Sequence, residues 1–148
     1  MKTYALDIQY PINVEGETSE SLEHLLELDI LEKLNHFKWW QYRTLQLQLS
    51  GIKTSMTIVD EDEQHMIKLY LLDNSRTGEI ELAVKTNIDV VTSKKELFGL
   101  MTRKVAEPVM FDRISLNQAK TLIKDFLYNQ IDEIQATYLL LKTSKVAA

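Results

Sequence analysis

Apolar and polar residues alternate one for one along much of the stretch from Tyr4 to Thr92, and this period of two constrains the fold more than any other feature. Successive side chains of a strand point to opposite faces, so such alternation implies half-buried strands. Tyr4, Leu6, Ile8 and Tyr10 alternate with Thr3, Ala5, Asp7 and Gln9, and Pro11 ends the run. Further on, Ser50-Gly51 suits a two-residue hairpin turn. With Leu49 opposite Ile52, Leu47 meets Thr54 and Leu45 meets Met56, while Gln48, Gln46 and Thr44 meet Lys53, Ser55 and Thr57. Apolar and polar faces then agree on both arms, as a correct register requires. A third strand sets Ile67, Leu69 and Leu71 against Met66, Lys68, Tyr70 and Leu72. After the turn at Asn74-Ser75-Arg76-Thr77-Gly78, a fourth strand directs Ile80, Leu82 and Val84 inward and continues through Ile88 and Val90.

Three segments have helical character. Ser19 to Phe37 is rich in Leu, Glu and Lys, but its apolar residues do not form one stripe. Asp29 followed by Glu32 resembles a capping box in mid-segment, which predicts two short helices or a kink near Leu28 and Asp29. Ser93-Lys94-Lys95-Glu96 is a capping box for a helix carrying Leu97, Leu100, Met101 and Val105, with Pro108 beyond it. Ser115-Leu116-Asn117-Gln118 repeats the box. Leu116, Ala119, Leu122, Ile123, Phe126, Leu127, Ile131, Ile134 and Tyr138 then recur at helical spacing. The order β-α-ββββ-α-α predicts an α+β fold: an antiparallel sheet of an N-terminal strand plus a four-stranded meander, helices packed on one face, and a long C-terminal helix. A length of 148 residues suits a single domain over 1–148.

The chain has no cysteine, which removes disulfides, thiolate metal sites and Cys nucleophiles. The reading is a cytoplasmic protein with neither a signal peptide nor a membrane span. The net charge of -5 is unevenly spread: residues 1–74 carry 13 acidic and 6 basic side chains, residues 75–148 carry 9 and 11. Glu15, Glu17, Glu20, Glu23, Glu27, Asp29 and Glu32 follow one another with no Lys or Arg between them. Such a surface repels nucleic acid and attracts a basic protein. Lys94, Lys95, Arg103, Lys104 and Arg113 are interleaved with Glu96, Glu107 and Asp112, the pattern of ordinary surface charge.

Asp60-Glu61-Asp62-Glu63-Gln64-His65 begins like a calcium loop, but His65 stands where Gly is needed and Leu71 where a bidentate Glu is needed. An acidic hairpin tip that discourages edge pairing accounts for it, and no metal or cofactor is expected. His24, His36 and His65 match no zinc spacing, and neither a nucleophile elbow nor a phosphate-binding Gly loop occurs. No catalytic residues are assigned, so a non-enzymatic role is expected.

Trp39-Trp40-Gln41-Tyr42 is the most unusual local feature. Placed on a strand, Trp39 joins the core side with Leu45, Leu47 and Leu49, leaving Trp40 and Tyr42 on the other face, where Tyr70, Met66 and Leu72 extend the patch. The expectation is therefore a protein-interaction module that binds and masks a basic partner, with a bacterial toxin-immunity protein as its most concrete form. Glu20, Glu23, Glu27, Asp60 and Asp62 would supply charge, and Trp40, Tyr42 and Tyr70 apolar anchorage. One alternative is a small-molecule binder or motif-poor enzyme with a cavity between sheet and C-terminal helix, lined by Trp40, Tyr42, Tyr70 and His65. Another is a homo-oligomeric adaptor, as a homodimer through the aromatic patch.

Overall fold

The structure is a computed structural model that describes residues 2–11, 19–48, 53–96, 99 and 101–147. In chain order the elements are β1 (Tyr4–Gln9), β2 (Ser19–Leu25), α1 (Glu27–His36), α2 (Trp39–Gln48), β3 (Ser55–Asp60), β4 (Met66–Leu71), β5 (Glu81–Glu96), β6 (Met101–Ser115), α3 (Leu116–Leu127) and α4 (Ile131–Ala147). The strands form one antiparallel sheet in the order β2-β1-β3-β4-β5-β6. The fold is α+β, as the alternation implies.

One face of this sheet is the core. Leu6 lies opposite Ile58 and Ile58 opposite Ile67, while Ile8, Met56, Leu69 and Val84 form the next row, all fully buried. Register is held because a one-residue slip would turn every one of these side chains to solvent. Helix α3 covers this face with Ala119, Leu122, Ile123, Phe126 and Leu127, and the Tyr4 hydroxyl donates to the Leu127 carbonyl at 2.7 Å. Ile30 and Leu34 of α1, Trp39 and Ile134 complete the core. The opposite face leaves Asp7, Gln9, Lys85, Met110 and Asp112 exposed.

Four local expectations are corrected. Ser19–Leu25 is a strand and not the start of a helix: Glu20 and Leu22 lie opposite Ile8 and Leu6, so pairing with β1 outweighs the helical propensity of the segment. Helix α1 therefore begins at Glu27. Asp29 acts from its third position, accepting the Leu26 N–H at 3.0 Å.

The hairpin about Ser50-Gly51 is also overturned, because Trp39–Gln48 is helical; Ser50 and Gly51 themselves lie outside the described residues. Trp39, Tyr42 and Gln46 turn inward at helical spacing, and Leu47, expected in a core, is 58% exposed. The buried Gln46 repays its desolvation fully. Its Oε1 accepts the Thr54 N–H at 2.7 Å, and its Nε2 donates to Leu71 O at 2.8 Å and to Asp73 Oδ1 at 2.6 Å.

The helix expected from Ser93 is a continuation of β5, which pairs with β6 out to Glu96 and Met101. Leu97 and Leu100 lie outside the described residues. Pro108 is accommodated within β6 because β6 is an edge strand. A four-stranded meander does exist, but it runs β3-β4-β5-β6, one strand later than the alternation suggests.

Lastly, the single long C-terminal helix is two. The capping box is present, with Gln118 N donating to Ser115 Oγ at 3.1 Å and Ser115 N to Gln118 Oε1 at 2.9 Å. Asn129 then takes a left-handed φ of 58°, which Asn tolerates better than most residues, and α4 starts afresh at Ile131. No described helix is long and apolar enough to cross a membrane.

Candidate functional site: an acidic cleft at the sheet edge

The acidic segment folds into a cleft between β2, the outermost strand, and α1. Leu22, Leu25, Asp29, Glu32, Lys33 and His36 line it, and its volume is about 400 Å³. Three features shape it. The β1–β2 register shifts between Tyr4 and Leu6, His24 adopts a left-handed φ of 57°, and the His24 N–H donates to Glu61 Oε1 at 3.0 Å. The strand thus bends away and α1 begins at once, leaving Leu26 and Leu28 exposed, the latter to 73%.

The carboxylates here are not equivalent. Glu20 receives the Tyr10 hydroxyl at 2.7 Å and pairs with Lys33 at 3.0 Å; the Tyr10 bond first, and then Lys33, hold its pKa below the ordinary value. Glu20 is therefore part of the scaffold. Glu23 is largely exposed, with His24 at 3.9 Å, while Glu27 is half-buried and Glu32 exposed on α1. Glu15 and Glu17 lie outside the described residues. Of the exposed side chains here, Asp29 and Glu32 line the cleft itself, while Glu23, Leu26 and Leu28 lie on β2, the link and α1 around it.

The aromatic residues divide differently from their expected grouping. Trp40 is 51% exposed, with the Arg43 guanidinium 4.6 Å from its ring centroid, and Leu47 lies two turns along α2. Arg43 Nη1 is buried without a hydrogen-bond partner among the described residues. Tyr42 does not join this surface; it packs inside with Tyr10 at 5.3 Å and Phe37 at 4.9 Å. Tyr70 is on the opposite sheet face, so Trp40, Tyr42 and Tyr70 do not form one patch.

Asp60 is likewise taken up by the fold. It is 3% exposed, accepts the N–H groups of Asp62 and Glu63, and pairs with Lys2 at 2.7 Å. Burial alone would raise its pKa, but the Lys2 hydrogen bond, the two backbone bonds and the charge of Lys2 hold it below the ordinary value. Asp62 remains exposed. Ligand atoms of Asp60, Glu63 and His65 come within 4.8 Å of one another, a spacing that could hold a metal ion, yet the Lys2 ammonium already lies 2.7 Å from Asp60 and 3.6 Å from Glu63.

A second concavity, of about 300 Å³, lies between β6, α3 and α4. Phe111, Ile114, Tyr138 and Leu141 line it together with Arg113, Gln118 and Lys142. Sequence reasoning missed the cleft at β2, and the cavity it expected between sheet and C-terminal helix has none of the lining it assigned, Trp40, Tyr42, Tyr70 and His65. Each depends on a helix boundary that local patterns misplaced. No protein-family model, curated protein or solved structure matches this chain.

Proposed function

We propose that this chain is a non-enzymatic protein-interaction module that binds a basic partner at the cleft between β2 and α1, with a bacterial toxin-immunity protein as the most concrete version. The observation that supports it best is the coincidence of exposed carboxylates, Glu23 and Glu32, with the exposed Leu26 and Leu28 beside β2, which among the described residues has no strand on its outer side. The carboxylates steer a cationic surface through a field screened over about 10 Å at ordinary salt. The leucines then supply apolar area that can be desolvated on contact, and Trp40 with Leu47 offers a second anchor.

The test compares wild type with Glu23→Lys/Glu32→Lys and with Leu28→Ala, first against the product of any adjacent gene and then against source-cell extract. The expected partner is basic, is released by salt, binds the charge-reversed protein more slowly, and leaves Leu28→Ala faster. A partner indifferent to all three positions would remove the cleft from consideration. Glu20 is excluded from the reversal because its loss would unseat Tyr10 and Lys33.

The β6-α3-α4 concavity favours a second reading, a small-molecule binder, since apolar Phe111, Ile114, Tyr138 and Leu141 line it together with polar Arg113, Gln118 and Lys142. A compound that raises the melting temperature of wild type but not of Leu141→Trp would support it.

A further inference from the structure

The sheet face turned away from the helices carries two lysines side by side. Lys68 of β4 lies directly opposite Lys85 of β5, an arrangement in which like charges repel. Among the described residues neither has a carboxylate within ion-pair distance. Both ammonium groups instead lie over one ring, 4.8 Å and 5.2 Å from the Tyr70 centroid, which sets two cations against a single side chain. Of the acids on this face, Asp7 lies in the same cross-strand row, two strands from Lys68 by way of Thr57, with Ser21 Oγ donating to it at 2.6 Å, and Asp112 stands two residues along β6 from Met110, the partner of Lys85. In a chain of net charge -5, this spot is set for an anion.

Next to Lys68 the face is hollow, with a volume of about 380 Å³; Asp7, Gln9, Ser19, Ser21, Ser55 and Thr57 line the hollow, as does Glu20, whose carboxylate is already engaged by the Tyr10 hydroxyl and Lys33. Strand order places Ser55 and Thr57 of β3 beside Lys68, and Gln9, Asp7 and Ser19 of β1 and β2 at the far side. The near groups can donate to an oxyanion, and the far ones can exchange hydrogen bonds with hydroxyl groups. We propose that this face binds a phosphate monoester of a small polyhydroxy compound, its phosphoryl group held between Lys68 and Lys85 and its hydroxyl groups in the hollow. None of these residues lines the acidic cleft, so the two sites stand or fall separately.

The 148-residue chain is titrated with glucose 6-phosphate, inorganic phosphate and glucose at constant ionic strength, and backbone amide shifts are followed by NMR. Saturable shifts at Thr57, Lys68, Tyr70 and Lys85 are expected with the ester, weaker binding with inorganic phosphate, and none with glucose. Lys85→Gln and Lys68→Gln should each weaken ester binding about tenfold, the loss of one charge-assisted contact. Asp7→Asn should weaken the ester and leave inorganic phosphate unaffected. Both lysine variants relieve repulsion, so without ligand they should melt no lower than wild type, and a ligand-induced rise in melting temperature should shrink in them. Unsaturable shifts, wild-type affinity in either folded lysine variant, or equal affinity for ester and inorganic phosphate would overturn the proposal.

Discussion

Trp39 and Trp40 are adjacent in the chain and opposite in environment, 4% and 51% exposed. Trp39 meets Phe37 at 4.4 Å within the core, so Trp39→Ala should cost roughly 3–5 kcal/mol, as large-to-small changes in a core do. Trp40→Ala removes a surface ring and should stay within about 1 kcal/mol of wild type by urea unfolding. A reversed order would mean that the faces of α2 are misassigned. Asp60 has a pH signature. Because its folded pKa lies below the ordinary value, its contribution is fully present above about pH 4 and is lost as pH falls through the folded pKa. Asp60→Asn should therefore cost about 1–3 kcal/mol at neutral pH, with the gap to wild type closing in acid. Tyr4 has the opposite sign. Burial first, then nearby carboxylates, push its hydroxyl up to about 12, so the stability tied to neutral Tyr4 is complete below pH 10 and is lost as pH rises toward that value.

Among the elements, α2 is held by Trp39 and Tyr42 at its start and by the polar Gln46 near its end. Gln46→Leu keeps the size but strands Thr54 N–H, Leu71 C=O and Asp73, and should destabilise by about 2–4 kcal/mol. Leu47→Gln, one residue on and exposed, should change stability by no more than about 0.5 kcal/mol. Equal effects would argue that α2 is not docked through Gln46. At α3 the cap is the simpler case: Ser115→Ala should cost about 1 kcal/mol and speed amide exchange in the first turn. That cap was legible in the sequence because its bonds span only three residues. The same three-residue pattern at Ser93 misled, since nothing local reveals that β6 lies alongside to pair with β5.

At the scale of the molecule, the sheet is anchored unevenly. β1, β3 and β4 each have a strand on both sides and the core beneath, whereas β5 beyond Thr86 has, among the described residues, β6 as its only strand neighbour. Amide exchange should therefore be slowest at Met56, Ile58 and Leu69 and much faster over Val91–Ser93 and Thr102–Val105. Uniform protection would indicate that something else covers the hairpin arm. The sequence by itself determined the α+β class, the inward residues of β1, β4 and β5, the capped start of α3 and the acidity of residues 20–32. These depend on period, propensity and short-range bonds, all written within a few neighbouring residues. Tertiary structure alone decided that Ser19–Leu25 is a strand, that Trp39–Gln48 is a helix, and that Glu20 and Asp60 are scaffold acids while Glu23 and Glu32 face outward. The physical reason is that each depends on a partner distant in sequence: β1 for β2, Thr54 and Leu71 for Gln46, Lys2 for Asp60. A Leu- and Glu-rich segment can bury its leucines as a helix or as a strand, and only the surface that receives them selects one.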